Sequence, residues 1–121
     1  MNKVVFIGRV SIQPEVSNSG TDNVCVTFSI AVKRKFVKNG GPDTDFFDCV
    51  AFKNNAQFIE KYVEQGMRIS VAGNIQNNSY KNRNGDNVWT TELFIEDVES
   101  LESKAETELR RSQAANRQRN A

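Results

Sequence analysis

A chain of 121 residues, 38% hydrophobic and 26% charged, has room for one domain around a single core, which argues against two domains. Its 16 basic and 15 acidic residues leave a net charge of +1, so any surface that attracts a polyanion must be local. With no histidine, no CxxC and only Cys25 and Cys49, both inside strand-like runs, the chain lacks the donors of a zinc site and reads as carrying two buried thiols in a reducing compartment.

The opening MNKVVFIGRV holds an apolar run broken by Gly8 and Arg9, too short for a signal segment or a membrane span, and the expected location is cytoplasmic. Lys3 to Val10 is a first strand, apolar on both parities (Val4 and Phe6, Val5 and Ile7), so neither face is expected to meet water. Val24 to Val32 alternates strictly and predicts a second strand with one face on a core. A third runs from about Asp45 to Lys53, and Asp48 marks its outward parity, which puts Phe46 and Phe52 outside. The period then changes to that of a short helix, capped by Asn54 or Asn55, with Ala56, Ile59 and Val63 on one face and Gly66 as its stop. A fourth strand spans about Arg68 to Gln76 and a fifth about Asn87 to Val98, with Asn84-Gly85 suited to the turn before it. Ser17 to Asn23, Lys38 to Asp45 and Asn77 to Asn87 are the expected long loops. Five strands with one short helix between the third and fourth is the element order of the OB-fold, an all-β, partly open Greek-key barrel. The barrel domain is expected over residues 1–103, and residues 104–121, with four arginines from Arg110 on, over a flexible or frayed-helical basic arm.

Catalysis needs a positioned nucleophile, base or metal, and no motif here supplies one, so an enzyme is not expected, nor a cofactor. What stands out is aromatic residues among cations. KRKF sets Phe36 beside Lys33, Arg34 and Lys35, and SYKNR sets Tyr80 beside Lys81 and Arg83. Such interleaving suits bases stacked on rings while cations hold phosphates, with Phe36 and Tyr80 as the rings and Lys33, Arg34, Lys35, Lys53, Lys81 and Arg83 as the cations, while the pattern leaves Phe46 and Phe52 open between stacking and packing. The small outward residues Thr27, Ser29 and Ala31 leave room for bases. Phe6, Phe28, Phe58 and Phe94 read as core, and Trp89 as core or interface. A protein-binding OB module and an RNA binder remain open on these residues alone.

The ordered series MNKVVFIGRV, QPEV, VTFSIAVKRKF, DFFDCVAFKNNAQFIEKYVEQG and RISVAGNIQNNSYKNRNGDNVWTTELFIEDVESLES resembles the bacterial and bacteriophage single-stranded DNA-binding protein family over about Met1 to Ser103. The resemblance implies sequence-independent coating of single-stranded DNA in replication, recombination and repair. Stacking would come from Phe36, Phe46, Phe52 and Tyr80, and positions usually occupied by tryptophan in the family are phenylalanine or tyrosine here, so stacking survives with a smaller ring. It also implies a homotetramer, a dimer of dimers whose first strand pairs across a dyad, with Val4, Phe6 and Phe47 in the interface. Cellular members end in a flexible tail with an acidic tip that recruits replication and repair proteins. This sequence ends on a basic segment, a departure that counts against recruitment of that kind.

Overall fold

A computed structural model describes residues 1–119, with side chains through Asn116. Strands β1 (Val4–Ser17), β2 (Cys25–Lys33), β3 (Thr44–Phe52), β4 (Arg68–Lys81) and β5 (Asn87–Ser100) close into a barrel in the order β1-β2-β3-β5-β4. Helix α1 (Lys53–Tyr62) joins β3 to β4, and α2 (Lys104–Arg119) follows β5. All neighbouring strands are antiparallel except β3 and β5, whose parallel pairing closes the ring. This is the five-stranded OB architecture expected from the element order.

The alternation of β2 turns Val26, Phe28 and Ile30 inward, where they meet Cys49 and Ala51 of β3, Ile69 and Val71 of β4, and Leu93 and Ile95 of β5. Ala56 and Ile59 of α1 complete this core from one end. It is dry enough that burial pushes the Cys49 thiol up to about 12. Cys25 is only half-buried and lies on the outer parity, contrary to the expectation of a core thiol.

Two strands run well beyond the bounds the sequence suggests. Strand β1 continues to Ser17, because two register shifts around Ile12 let it turn along β2 and leave Pro14 where no ladder bond is required. The expected loop from Asn77 is instead strand: β4 reaches Lys81 and only Asn82 to Asp86 form the turn. Side-chain pairs compensate for poor strand formers there. Asn78 Nδ2 donates to Glu92 Oε1 at 2.8 Å and Thr91 Oγ1 to Asn77 Oδ1 at 2.9 Å. Gly85 takes the positive φ of +82° that closes the turn. Lower down, β4 and β5 approach so closely at their bulge that a Cβ on Gly73 would collide with the carbonyl oxygen of Phe94.

The expected asparagine cap of α1 is absent. Phe52, in extended backbone, occupies the cap position without a side-chain hydrogen bond, while Asn55 Nδ2 donates to the carbonyls of Ile95 and Glu96 and so ties α1 to β5. On β1, Val4 and Phe6 point inward, and Phe6 stacks on Phe47 with ring centroids 4.2 Å apart against the core. The outward parity, Val5 and Ile7, is exposed within a single chain. Val4, Phe6 and Phe47, the three residues expected at an interface, are partly buried and pack against the core within one chain.

The C-terminal segment is not a free arm over its first turns. Ser103 Oγ accepts the N–H of Glu106 at 3.1 Å and starts α2. Arg110 then binds the barrel: Nε donates to Glu102 Oε1 at 3.0 Å, Nη2 to Glu64 Oε1 at 2.6 Å and Nη1 to the Gln65 carbonyl at 3.2 Å. Arg111 Nε also donates to Glu64 Oε1, at 2.8 Å. Both arginines, expected as free cations, are held by these carboxylates; the Arg117 and Arg119 side chains lie outside the described residues.

The Glu102 side chain is only 3% exposed. Burial opposes its charge, yet hydrogen bonds from Arg110, Thr107 and the Arg68 N–H hold its carboxyl below the ordinary value. Glu64 is lowered first by its hydrogen bond from Arg111. A carboxyl depressed by folding contributes stability above its unfolded pKa and loses it as pH falls through the native one. Docking of α2 is therefore expected to fail on acidification below about pH 4, the ordinary carboxylate range. The helical far-UV signal should fall there while the strand signal persists, and Arg110→Ala should lose the same helical signal at neutral pH. A helical signal unchanged in both would refute the latch.

Candidate nucleic-acid interface

Side chains that face each other across paired strands share a face, so the register defines the outer surface of the barrel. Across from Cys25, Thr27, Ser29 and Ala31 of β2 stand Phe52, Val50, Asp48 and Phe46 of β3. The parallel pairing adds Glu92 beside Asp48 and Phe94 beside Val50. Tyr80 pairs with Val88, on the same parity of β5 as Glu92 and Phe94, and so extends this face along the β4–β5 hairpin. The spacing of Phe46 and Phe52 along β3 is about 20 Å at the usual strand rise. The fold thus brings Phe46, Phe52 and Tyr80 onto one surface. Phe36 stands off the sheet on the β2–β3 loop.

These rings are poorly explained as packing. Phe36 is 89% and Phe46 65% exposed, and Tyr80 and Phe52 are also exposed. Phe52 stacks on Phe94, at 6.0 Å between centroids. Phe94 was expected in the core. Successive residues of a strand point to opposite faces, so Ile95 turns inward and Phe94 outward, where it supports the platform from β5. Of the others expected as core, Phe28 is enclosed, and Phe6 and Phe58 are half-buried and packed against the core, Phe58 also against Tyr62 of α1.

Between Phe46 and Phe52 the floor is acidic. A groove of about 320 Å³ is lined by Ile12, Glu15, Thr27, Asp48, Thr90 and Glu92. Cations occupy the margins: Lys33 and Lys35 at the β2–β3 loop, Lys53 beside Phe52, and Lys81 and Arg83 at the hairpin tip, all exposed. Arg34 differs from the other five. Its Nε and Nη2 donate to Asp45 Oδ2 and Oδ1 at 2.8 and 2.7 Å, which raises its own pKa and lowers that of Asp45. Its charge is already paired with that of Asp45, and it braces the base of the loop. A polyanion is repelled by the floor and attracted at the edges, which favours bases inward on the rings and phosphates outward on the lysines.

Trp89, expected in the core or an interface, is 71% exposed near the hairpin tip. Its parity does belong with buried Leu93 and Ile95, but the hairpin overhangs the barrel at that point and no core lies beneath it. As the only tryptophan, it should be freely accessible to acrylamide in the unliganded protein. Strong shielding there would contradict this placement.

The chain's first 101 residues match the model of the single-strand binding protein family. It is 35% identical over 117 residues to a single-stranded DNA-binding protein of Lactiplantibacillus plantarum, covering 96% of this chain and 58% of that protein. It is 33% identical over 111 residues to one of Enterococcus faecalis, covering 91% and 59%. It is 37% identical over 103 residues to single-stranded DNA-binding protein 3 of Clostridium acetobutylicum, covering 84% and 72%. The chain thus spans under two thirds of the length of the first two relatives. Among solved structures, a Plasmodium falciparum SSB in complex with single-stranded DNA superposes with a TM-score of 0.74 at 25% identity, covering 84% of this chain and 96% of that one. A barrel of this topology, matched by the family's model from its first strand to the end of its fifth, belongs to the single-strand binding protein family.

Proposed function

We propose that this protein binds single-stranded DNA without sequence preference and without catalysis, coating exposed strands in the bacterial or host cytoplasm during replication, recombination and repair. The observation that carries the proposal is the exposure of Phe46, Phe52 and Tyr80 on one face, with Phe36 on the adjoining loop and lysines at the margins. Every base has a flat π-face, so rings without a hydrogen-bonding partner set recognise strands of any sequence. The names of the bacterial relatives and the DNA-bound Plasmodium protein support the same reading. Phe36, Phe46, Phe52 and Tyr80 are the proposed stacking residues, and Lys33, Lys35, Lys53, Lys81 and Arg83 the phosphate contacts, with Arg34 as a brace.

Self-association into a homotetramer, a dimer of dimers, belongs to this proposal. Exposed Val5 and Ile7 on β1 offer the apolar surface for it, above the inward Val4, Phe6 and Phe47. A stable monomer at micromolar concentration in sedimentation equilibrium would count against it.

Titration of labelled oligo(dT) of graded length at two salt concentrations tests the function. Binding should tighten with length until the face is filled, and log affinity should fall with log salt by about 0.7 per phosphate contact. Absence of binding at low salt would end the proposal. Preference for matched RNA in competition would redirect it.

A further inference from the structure

We infer that Trp89 is an additional base-stacking residue, on a face of the β4–β5 hairpin that the platform does not include, and that a long strand turns around the hairpin tip to reach it. The inference rests on the proposed binding of single-stranded DNA and extends its path.

The register separates the two sides of the hairpin. Tyr80 pairs with Val88, whereas Trp89 pairs with Ser79, so the two rings emerge on opposite faces of the same ribbon, one position apart along it. Each is exposed. On Trp89's side the neighbouring positions are Asn77, Ser79 and Thr91, all polar and exposed, which leaves the indole without an apolar patch around it. An isolated large ring in polar surroundings is a poor seed for a protein–protein interface, which needs a contiguous apolar centre. It is a suitable partner for one flat, polar-edged base.

The charge of the tip agrees with that occupant. Lys81 and Arg83 stand at the end of the ribbon against the single acid Asp86, between the two rings along any path around the turn. Neither cation appears in an ion pair among the described residues. A strand leaving Tyr80 would meet two phosphate-attracting side chains at the tip and then a second ring. Three positions of one hairpin thus form a stacking, phosphate, stacking sequence.

The test uses the fluorescence of this single tryptophan on the full chain, beside anisotropy of labelled oligo(dT). Short oligomers that only fill the platform should bind equally to the native protein and to Trp89→Ala, and should leave indole emission unchanged. Longer oligomers should quench the emission in step with binding and should lose about fivefold or more in affinity in Trp89→Ala. Trp89→Phe, which keeps a ring, should recover most of that loss, and equal melting temperatures would show that all three proteins are folded. Long oligomers that bind without quenching, and with equal affinity for native protein and Trp89→Ala, would overturn the inference while leaving the platform intact. Emission that changes with protein concentration and not with DNA would overturn it in favour of contact between copies. Failure of short and long oligomers alike to bind would instead remove the underlying function.

Discussion

Phe28→Ala is expected to lower the unfolding free energy by about 3 to 5 kcal/mol, the usual cost of truncating an enclosed phenylalanine. The ring is 4% exposed on the inner parity of β2, between Val26 and Ile30 and across from Cys49. Removing it leaves a void lined by both strands, which cannot collapse without breaking the β2–β3 ladder. A domain of this size has only about 5 to 15 kcal/mol in total, so the variant should unfold at a much lower urea midpoint with little change in slope. Oligonucleotide affinity of the fraction still folded should be near native, because the Phe28 ring lies on the inner parity and is almost wholly covered by protein. An unaltered midpoint with weakened binding would reverse the assignment of the two parities of β2, and with it the whole outer face.

The parity of β2 is also where the sequence was most legible. A strictly alternating run specifies both the strand and its buried face, and the outward Asp48 does the same for β3. The four proposed stacking residues were readable because Phe36 and Tyr80 sit among cations and Phe46 shares a parity with an acid. Other features were less legible because tertiary context overrides local pattern. Asn77 to Lys81 has loop composition and is held as strand by Asn78 and Thr91 side-chain bonds across the hairpin. Trp89 follows a core parity beyond the point where the core ends. Arg110 is one cation among four in the sequence, and nothing local shows that Glu64, 46 residues away, joins Glu102 in holding it.

Phe46→Ala and Tyr80→Ala should each weaken oligo(dT) binding by about 1 to 3 kcal/mol while leaving the melting temperature unchanged. The two effects separate because of exposure. With most of each ring already in water, truncation forfeits little apolar burial in the unliganded protein, so the fold has little to lose. In the complex the same ring is covered by a base, and its removal leaves that base without a partner. Phe52 is a less clean probe, since its contact with Phe94 at 6.0 Å adds a folding contribution. Tyr80→Phe should be close to neutral, because the stacking surface is the ring and no hydrogen bond of the hydroxyl is present among the described residues. Lys81→Ala should behave differently from all of these. It should cost less at high salt than at low salt and reduce the salt slope by about 0.7, whereas loss of a ring should shift the line without changing its slope. Unchanged affinity in both Phe46→Ala and Tyr80→Ala would eliminate the platform. Equal loss of slope in the ring variants and in Lys81→Ala would mean that the rings act by placing the cations and not by stacking.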